Sequence, residues 1–496
     1  MVTFFTFSRA SMAVVSLSLV LLMTALDTSI ANASLPELAR AFGASFESAQ
    51  WIVLAYLLAV TSLAVVAGRL GDVFGRRRIL LVAIPLFVLA SVACTLAPSL
   101  RWLIAARALE GASAAAMMAL GYAIVGDIPK ASAERAMGQL AAMSAMGTTL
   151  GPVVGSLVAH VAARAIFLVN VPIGAVAFAL ALRYVPRREP HARATVSFDV
   201  AGTAVLALSL FGYALSMTLP GGPWKPSTGA LLAAAICGIG GFVLVEWRSA
   251  SPLVPVAMFR NALFSASLAA SAVVATVVMA TLVVGPFYLS GGLGLGHAQI
   301  GLILSSGPAA AAMTGSVAGR LAERLGAQRT VLAGLLAMAI GASVLAMLPP
   351  GAGIPGYVVP LVVMTAGYAI FQTANNSAAL AGSGESRRGV AAGLLSLSRN
   401  FGQITGASFM GAVFLHATGA QDLAAAGSEA IATGMRTAFA VAACLLVTTI
   451  ALVVSTRVRT LRSNASVTQR RRVNAAAEAG RVGSSSSPVL VARQVP

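Results

Sequence analysis

Fourteen apolar runs, most of them about twenty residues long, follow one another through the 496-residue chain. Their approximate ranges are 11–34, 48–68, 79–98, 102–126, 139–160, 165–184, 199–218, 228–247, 262–289, 300–319, 330–348, 357–381, 391–415 and 436–456. A run of that length crosses the hydrocarbon layer of a bilayer as an α-helix. Only a helix satisfies its own backbone polar groups within one segment in lipid, so the runs predict an all-α polytopic membrane protein. The alternating ten-residue strands of a membrane β-barrel do not occur. The composition is of the same kind: 58% of residues are hydrophobic and 10% are charged, where a soluble protein carries about a quarter charged.

The formal charge of +18 does not point to nucleic acid, because the basic residues are spread over short connectors and form no domain-sized patch. Nearly all are arginine; Lys130 and Lys225 are the only lysines. Their distribution alternates. One set of connectors carries Arg69, Arg76, Arg77 and Arg78, then Lys130 and Arg135, then Arg183, Arg187, Arg188 and Arg193. Further along, that set carries Arg248 and Arg260, then Arg320, Arg324 and Arg329, then Arg387, Arg388 and Arg399. The opposite set holds only Arg40, Arg101, Arg164, Lys225 and Arg436. Positive loops stay in the cytoplasm, which puts both termini there and requires an even number of spans. The first run is too long for a cleaved signal and reads as an uncleaved span. Cys94, Cys237 and Cys444 fall within runs, with no disulfide or zinc spacing.

Between the second and third runs lies GRLGDVFGRRR (68–78), and a weaker copy, GRLAERLGAQR (319–329), follows the tenth; Gly319 comes 251 positions after Gly68. The repeat divides the chain into an N-terminal six-helix half (1–190), two inserted helices with their flanking loops (191–255), and a C-terminal six-helix half (256–456). A polar, arginine-rich tail (457–496) reads as disordered and cytoplasmic. Parallel halves of six spans imply a substrate path between them. In the first copy, Gly68 and Gly75 allow a tight turn. Asp72 can pair with an arginine or favour a helix N-terminus. Arg76 and Arg77 either latch helices together or only set the topology.

Asp27, in LLMTALDTSIANASLP, stands inside the first run, where a carboxylate costs a few kcal/mol. Such a group is a natural proton carrier or a contact for a cationic substrate. It could instead sit in water near the outer end, bonded to Thr28 or Asn32. Arg107 and Glu110, in RALEGASAAAM, are three apart on one helical face and can neutralise each other. They serve either as a coupling pair or as a structural ion pair. Gly147, Gly151 and Gly155 recur every fourth residue in GTTLGPVVGSLVAH, a spacing that lets helices pack backbone to backbone. Pro152 adds a bend. Asn32, Asn375, Asn376 and Arg399 are further polar groups in runs, suited to interhelical hydrogen bonds or to lining a cavity. No Walker loop or histidine ligand spacing occurs, so no enzyme, cofactor or metal is expected.

These motifs together resemble the major facilitator superfamily, and within it the fourteen-span drug:proton antiporter branch, over residues 10–456. GRLGDVFGRRR is similar to the family's loop after span two, RALEGASAAAM to its span-four arginine motif, GTTLGPVVGS to its span-five antiporter motif, and LDTSIANASLP to the branch's span-one signature. Glu110 departs from the pattern, which has glutamine there more often. The resemblance implies alternating-access export of hydrophobic, often cationic compounds in exchange for protons across the bacterial cytoplasmic (inner) membrane. Asp27 and Arg107 would take part in coupling, Asp72 in cytoplasmic closure, and Gly151 with Pro152 in the antiport bend. Dedicated export of one endogenous metabolite is the alternative. The partners implied are a small-molecule substrate, protons and the lipid bilayer. The chain is expected to act as a monomer, and nothing in it identifies an accessory envelope partner.

Overall fold

The computed structural model describes residues 9–126, 130–186, 200–219, 225–248, 258–259, 261–349, 351–381, 388–419 and 426–484. Every expected apolar range falls on helix, and no strand occurs among the described residues. The first half comprises α1 (Arg9–Ala33), the short α2 (Leu35–Ala41), α3 (Phe46–Phe74), α4 (Arg76–Thr95), α5 (Leu100–Gly126), α6 (Lys130–Val161) and α7 (Asn170–Tyr184). A 3-10 turn, Ala163–Val169, leads into α7. Next come α8 (Val200–Thr218) and α9 (Pro226–Arg248). The second half comprises α10 (Ala262–Phe287), α11 (His297–Leu325), α12 (Ala327–Ala346), α13 (Gly353–Ala381), α14 (Arg388–Thr405), α15 (Gly411–Thr418) and α16 (Ser428–Ser484). Wide π-helical turns extend α10 (Tyr288–Gly292) and join α14 to α15 (Gly406–Met410).

Among the described residues, ten helices are long and apolar enough to cross a membrane, and up to eleven if α11, bent by 47° between His297–Gly315 and Val317–Leu325, forms one crossing. The remaining expected spans lie on helices that are shorter or more polar. α8 and α9 present apolar stretches of Ala207–Thr218 and Pro226–Gly241, and α14 carries Ser396, Arg399, Asn400 and Gln403 along one face. The tail expected to be disordered from residue 457 instead continues α16 as helix to Ser484. Its alanine and arginine content favours that conformation. The boundaries near 190 and 255 lie outside the described residues.

Within the first half α1 packs on α6 and α7, and α5 on α3 and α4; within the second, α10 packs on α14 and α16, and α12 on α13 and α16. The α6–α11 contact joins the halves, and α8 lies against α9 and α3 and touches the Gly406–Met410 turn. The sequence repeat is a backbone repeat too. Gly75, between α3 and α4, has φ 96°, and Gly326, 251 positions later between α11 and α12, has φ 81°. Residues with a Cβ avoid that region, so both copies need glycine for the sharp helix-to-helix turn.

These two turns mark one end of the helical bundle. At the opposite end the halves meet. Gln50 Nε2 donates 2.8 Å to the carbonyl of Ala407 in the second half. Phe46 packs edge-on against Phe287 with centroids 4.8 Å apart and against Phe414 at 5.5 Å. Glu37 and His297 pair at 2.7 Å.

Candidate functional site

Five helices of the first half and the 3-10 turn before α7 converge on one buried cluster. Arg107 of α5 places Nη1 2.6 Å from Asp27 Oδ2 of α1 and 2.6 Å from Glu110 Oε2 one turn along α5. Its Nε donates to the carbonyl of Ile52 on α3 at 3.2 Å. The guanidinium lies over the Tyr56 ring at 4.4 Å and near Phe167 at 5.4 Å, where an aromatic face favours a cation. Asn170, the first residue of α7, donates from Nδ2 to Asp27 Oδ1 at 2.9 Å and also lies 3.2 Å from Ser91 Oγ. Ser91 of α4 donates to Glu110 Oε1, and Cys94, one turn on, reaches Glu110 Oε2 at 3.5 Å. Asp27 and Arg107 are 1% exposed and Glu110 is 0%.

Charges taken out of water at this depth cost several kcal/mol each unless paired and hydrogen-bonded. Here all four carboxylate oxygens have such partners, yet the count does not balance: two carboxylates share one guanidinium. One added proton makes the group neutral. The arrangement can therefore hold a proton between two acids, with the arginine fixing both. Asp27 does not take the alternative partners considered above. Thr28 donates to the carbonyl of Thr24 at 3.0 Å, and both amide atoms of buried Asn32 make no hydrogen bond among the described residues.

The glycine motif places the cluster's first helix. A Cβ on Gly147 would lie 2.5 Å from the carbonyl oxygen of Leu22 and 2.9 Å from the Leu26 nitrogen. Gly151 faces Ser29 and Ile30, and Gly155 faces Ile30 and Ser34, so α6 rides directly on the α1 backbone around Asp27. Ser29 donates to the carbonyl of Thr148 at 2.9 Å across the same seam. Pro152 turns its carbonyl the other way, toward Gly301 of α11, where a Cβ would come within 2.6 Å. The motif is thus a spacer against α1 on one side and against the second half on the other.

In the Gly75 loop, Arg76 Nη1 donates 3.0 Å to the carbonyl of Ala123 near the end of α5, and Arg77 Nη2 donates 2.5 Å to that of Leu182 near the end of α7. Cations suit the exposed carbonyls of a helix's last turn. Both arginines tie helices of their own half together, beyond any part in topology. The Asp72 side chain lies outside the described residues, and a Cβ at Gly68 would meet nothing within 4 Å.

The other polar candidates separate. Arg399 lies half-buried on α14 of the second half. Asn375 is buried at the turn end of the second half and donates to Ser267 of α10 at 3.2 Å, away from the Asp27 cluster. Asn376, next to it, is half-buried. The contacts missing from the sequence reading are those from afar: Asn170, Ser91, Cys94, Tyr56 and, between the halves, Gln50. Their one visible signal was polarity within or beside an apolar run.

A family model described as Major Facilitator Superfamily matches residues 17–407 and 268–491. The "Uncharacterized transporter YebQ" of Escherichia coli (strain K12) is 31% identical over 398 residues, covering 78% of this chain and 85% of the relative. "Multidrug resistance protein Stp" of Mycobacterium tuberculosis (strain CDC 1551 / Oshkosh) is 31% identical over 406 residues, with 79% and 74% covered. "Riboflavin transporter RibZ" of Clostridioides difficile (strain 630) is 27% identical, with 79% and 85% covered. Among solved structures, a bacterial homolog of the human lysosomal transporter Spinster, inward-facing and unoccupied, superposes with TM-score 0.65 at 17% identity, over 91% of this chain and 98% of that one.

Proposed function

Because the chain belongs to the major facilitator superfamily, and is therefore a multi-pass membrane transporter of small molecules and not an enzyme, we propose that it exports hydrophobic compounds in exchange for protons. On this reading it is a member of the fourteen-span drug:proton antiporter branch, with both termini and the Gly75 and Gly326 turns in the cytoplasm. It acts in the cytoplasmic (inner) membrane as a monomer by alternating access. The contacts among Phe46, Gln50, Glu37, Phe287, His297 and Ala407 then form the closed outer gate.

The observation that carries the proposal is the Asp27–Arg107–Glu110 cluster, a buried group with one more acid than base. A transporter with no need of protons would gain stability from an apolar core in its place. Each charge moved down the membrane potential yields about 2.3 kcal/mol per 100 mV, enough for a substrate gradient of more than about tenfold. Asp27 is engaged by Arg107 and Asn170 and is almost fully buried. Hydrophobicity, more than positive charge, is therefore the substrate property carried forward. The glycine motif and α11 supply the seam along which the halves rock.

The test is substrate-induced proton release from the purified protein, screened over a panel of dyes, biocides and antibiotics. Release by several unrelated hydrophobic compounds, lost in Asp27→Asn, is expected. No release by any compound, or unchanged release in Asp27→Asn, contradicts the proposal. The likeness to a protein named a riboflavin transporter favours a second reading, dedicated export of one endogenous metabolite. A response confined to a single compound class would select it.

A further inference from the structure

At the turn end of the second half, α10, α12, α13 and α16 surround a cavity of about 100 Å³. Its polar lining is Asn261, the cap of α10, Ser267 from α10, Gln328 from α12, Asn375 from α13 and Arg457 from α16. No acid is among the residues that line it. Arg457 makes no hydrogen bond or ion pair among the described residues. The cavity separates Val331 of the main core from Phe264 and Ala379, which belong to a small core cluster of their own. A gap of this size is far larger than one water requires, and its polar wall calls for polar contents.

The repeat explains the gap. In the first half Arg77 stands two residues after the positive-φ Gly75 and reaches Leu182 on α7, the last helix of that half. Its counterpart 251 positions on is Gln328, two residues after the positive-φ Gly326, and the last helix of that half is α16. Glutamine is shorter and uncharged, so the place filled by an arginine in one half stays open in the other. The cation is supplied instead from α16, by Arg457.

We propose that this cavity is a binding site for a phosphate group. A guanidinium with free donors matches phosphate geometry. The Gln328 amide faces the same space, and Asn375 has spent one donor on Ser267 and keeps a second. The start of α12 has Gly326 as its cap and no side chain over its first amides, whereas Asn261 already caps α10 by accepting from Leu263 and Phe264. The orphan amides of α12 add to the attraction for an anion. In the orientation proposed above, the cavity opens at the headgroup level of the cytoplasmic leaflet. The phosphate can then belong to an anionic phospholipid or to a soluble anion.

The experiment uses the full chain and native mass spectrometry, after release from nanodiscs of phosphatidylglycerol or of phosphatidylcholine, and separately after incubation with inorganic phosphate. Wild type is expected to retain one phosphatidylglycerol in preference to phosphatidylcholine, or to bind phosphate. Arg457→Gln should reduce the retained species about tenfold, the loss typical of a charge-assisted bond. Gln328→Leu, which leaves the arginine in place, should give a smaller decrease in the same direction. Retention of phosphatidylglycerol assigns the lipid source, and retention of inorganic phosphate alone assigns the soluble one. Equal retention in wild type and Arg457→Gln with both probes overturns the site. Substrate-induced proton release, measured on the same Arg457→Gln sample, should be unchanged, so that failure here is distinguishable from failure of the antiport proposal.

Discussion

Replacing Glu110 by glutamine changes the charge count of the buried cluster while nearly preserving its shape. In the wild type, each carboxylate lies 2.6 Å from the same guanidinium nitrogen. At the effective dielectric suited to such sites, one pair at that distance is worth about 6 kcal/mol of gross attraction. Glu110→Gln gives up one such attraction. It also removes the repulsion between the carboxylates and the desolvation of one buried ion, so its net effect on stability should be within about 1–2 kcal/mol. Asp27→Asn should behave in the same way, because Arg107 and Glu110 remain as a neutral pair. Arg107→Gln strands two acids in contact, and the double variant Asp27→Asn/Glu110→Gln strands the arginine. Each of these should cost about 3–5 kcal/mol, the cost typical of an uncompensated buried charge. Thermal unfolding in detergent reads the stabilities, and a pH-indicator titration reads protons released per protein on substrate addition. The balanced variants should fold like wild type and release about one proton fewer. Glu110→Gln unfolding as readily as Arg107→Gln would refute the reasoning, and so would a wild-type proton count in Glu110→Gln.

The remaining predictions concern packing, gate and loop. Gly147→Ala should destabilise by about 1–3 kcal/mol, because its Cβ would run into the backbone of α1; Gly68→Ala, with nothing within 4 Å, should leave the melting temperature unchanged. Gln50→Leu removes the hydrogen bond to Ala407 and should shift the population toward separation at that end by about fivefold, for a loss of about 1 kcal/mol. Spin labels at exposed Ser48 and Ser428, on a background with Cys237 and Cys444 replaced, measure the distance distribution. Arg77→Gln should loosen α7 from the Gly75 loop and lower the melting temperature, whereas Arg78→Gln, on an exposed residue, should not.

Local signals carried most of the fold. Apolar run length located the helices, and the repeat at 251 residues located both positive-φ turns, because glycine at 75 and 326 is a backbone requirement that a sequence displays directly. The i, i+3 spacing brought Arg107 to Glu110, and the four-residue glycine spacing announced a close helix seam. Neither could say which helix would press on the glycines. Asp27 and Arg107 are 80 residues apart, and their contact depends on how α1 and α5 pack, which no local spacing encodes. Asn170 and Ser91 were hidden for the same reason: each is a single polar residue on a helix whose neighbours are chosen by tertiary packing. Glu110 was visible as a departure from the family pattern, but its consequence, a second acid on one arginine, needed the packing of α1 against α5. Asn375 shows the opposite outcome. Its polarity was legible, and it lies at the edge of the second half, away from the Asp27 cluster.

Transport in proteoliposomes under an imposed pH gradient tests the central claim most directly. Wild-type protein should drive a hydrophobic substrate against its own gradient when the opposite compartment is acidic, and the flux should collapse with a protonophore. Asp27→Asn, expected to remain folded, should still equilibrate the substrate and no longer concentrate it. Concentrative transport by Asp27→Asn equal to wild type would contradict the account, because the buried cluster would then be a structural ion pair with no part in coupling.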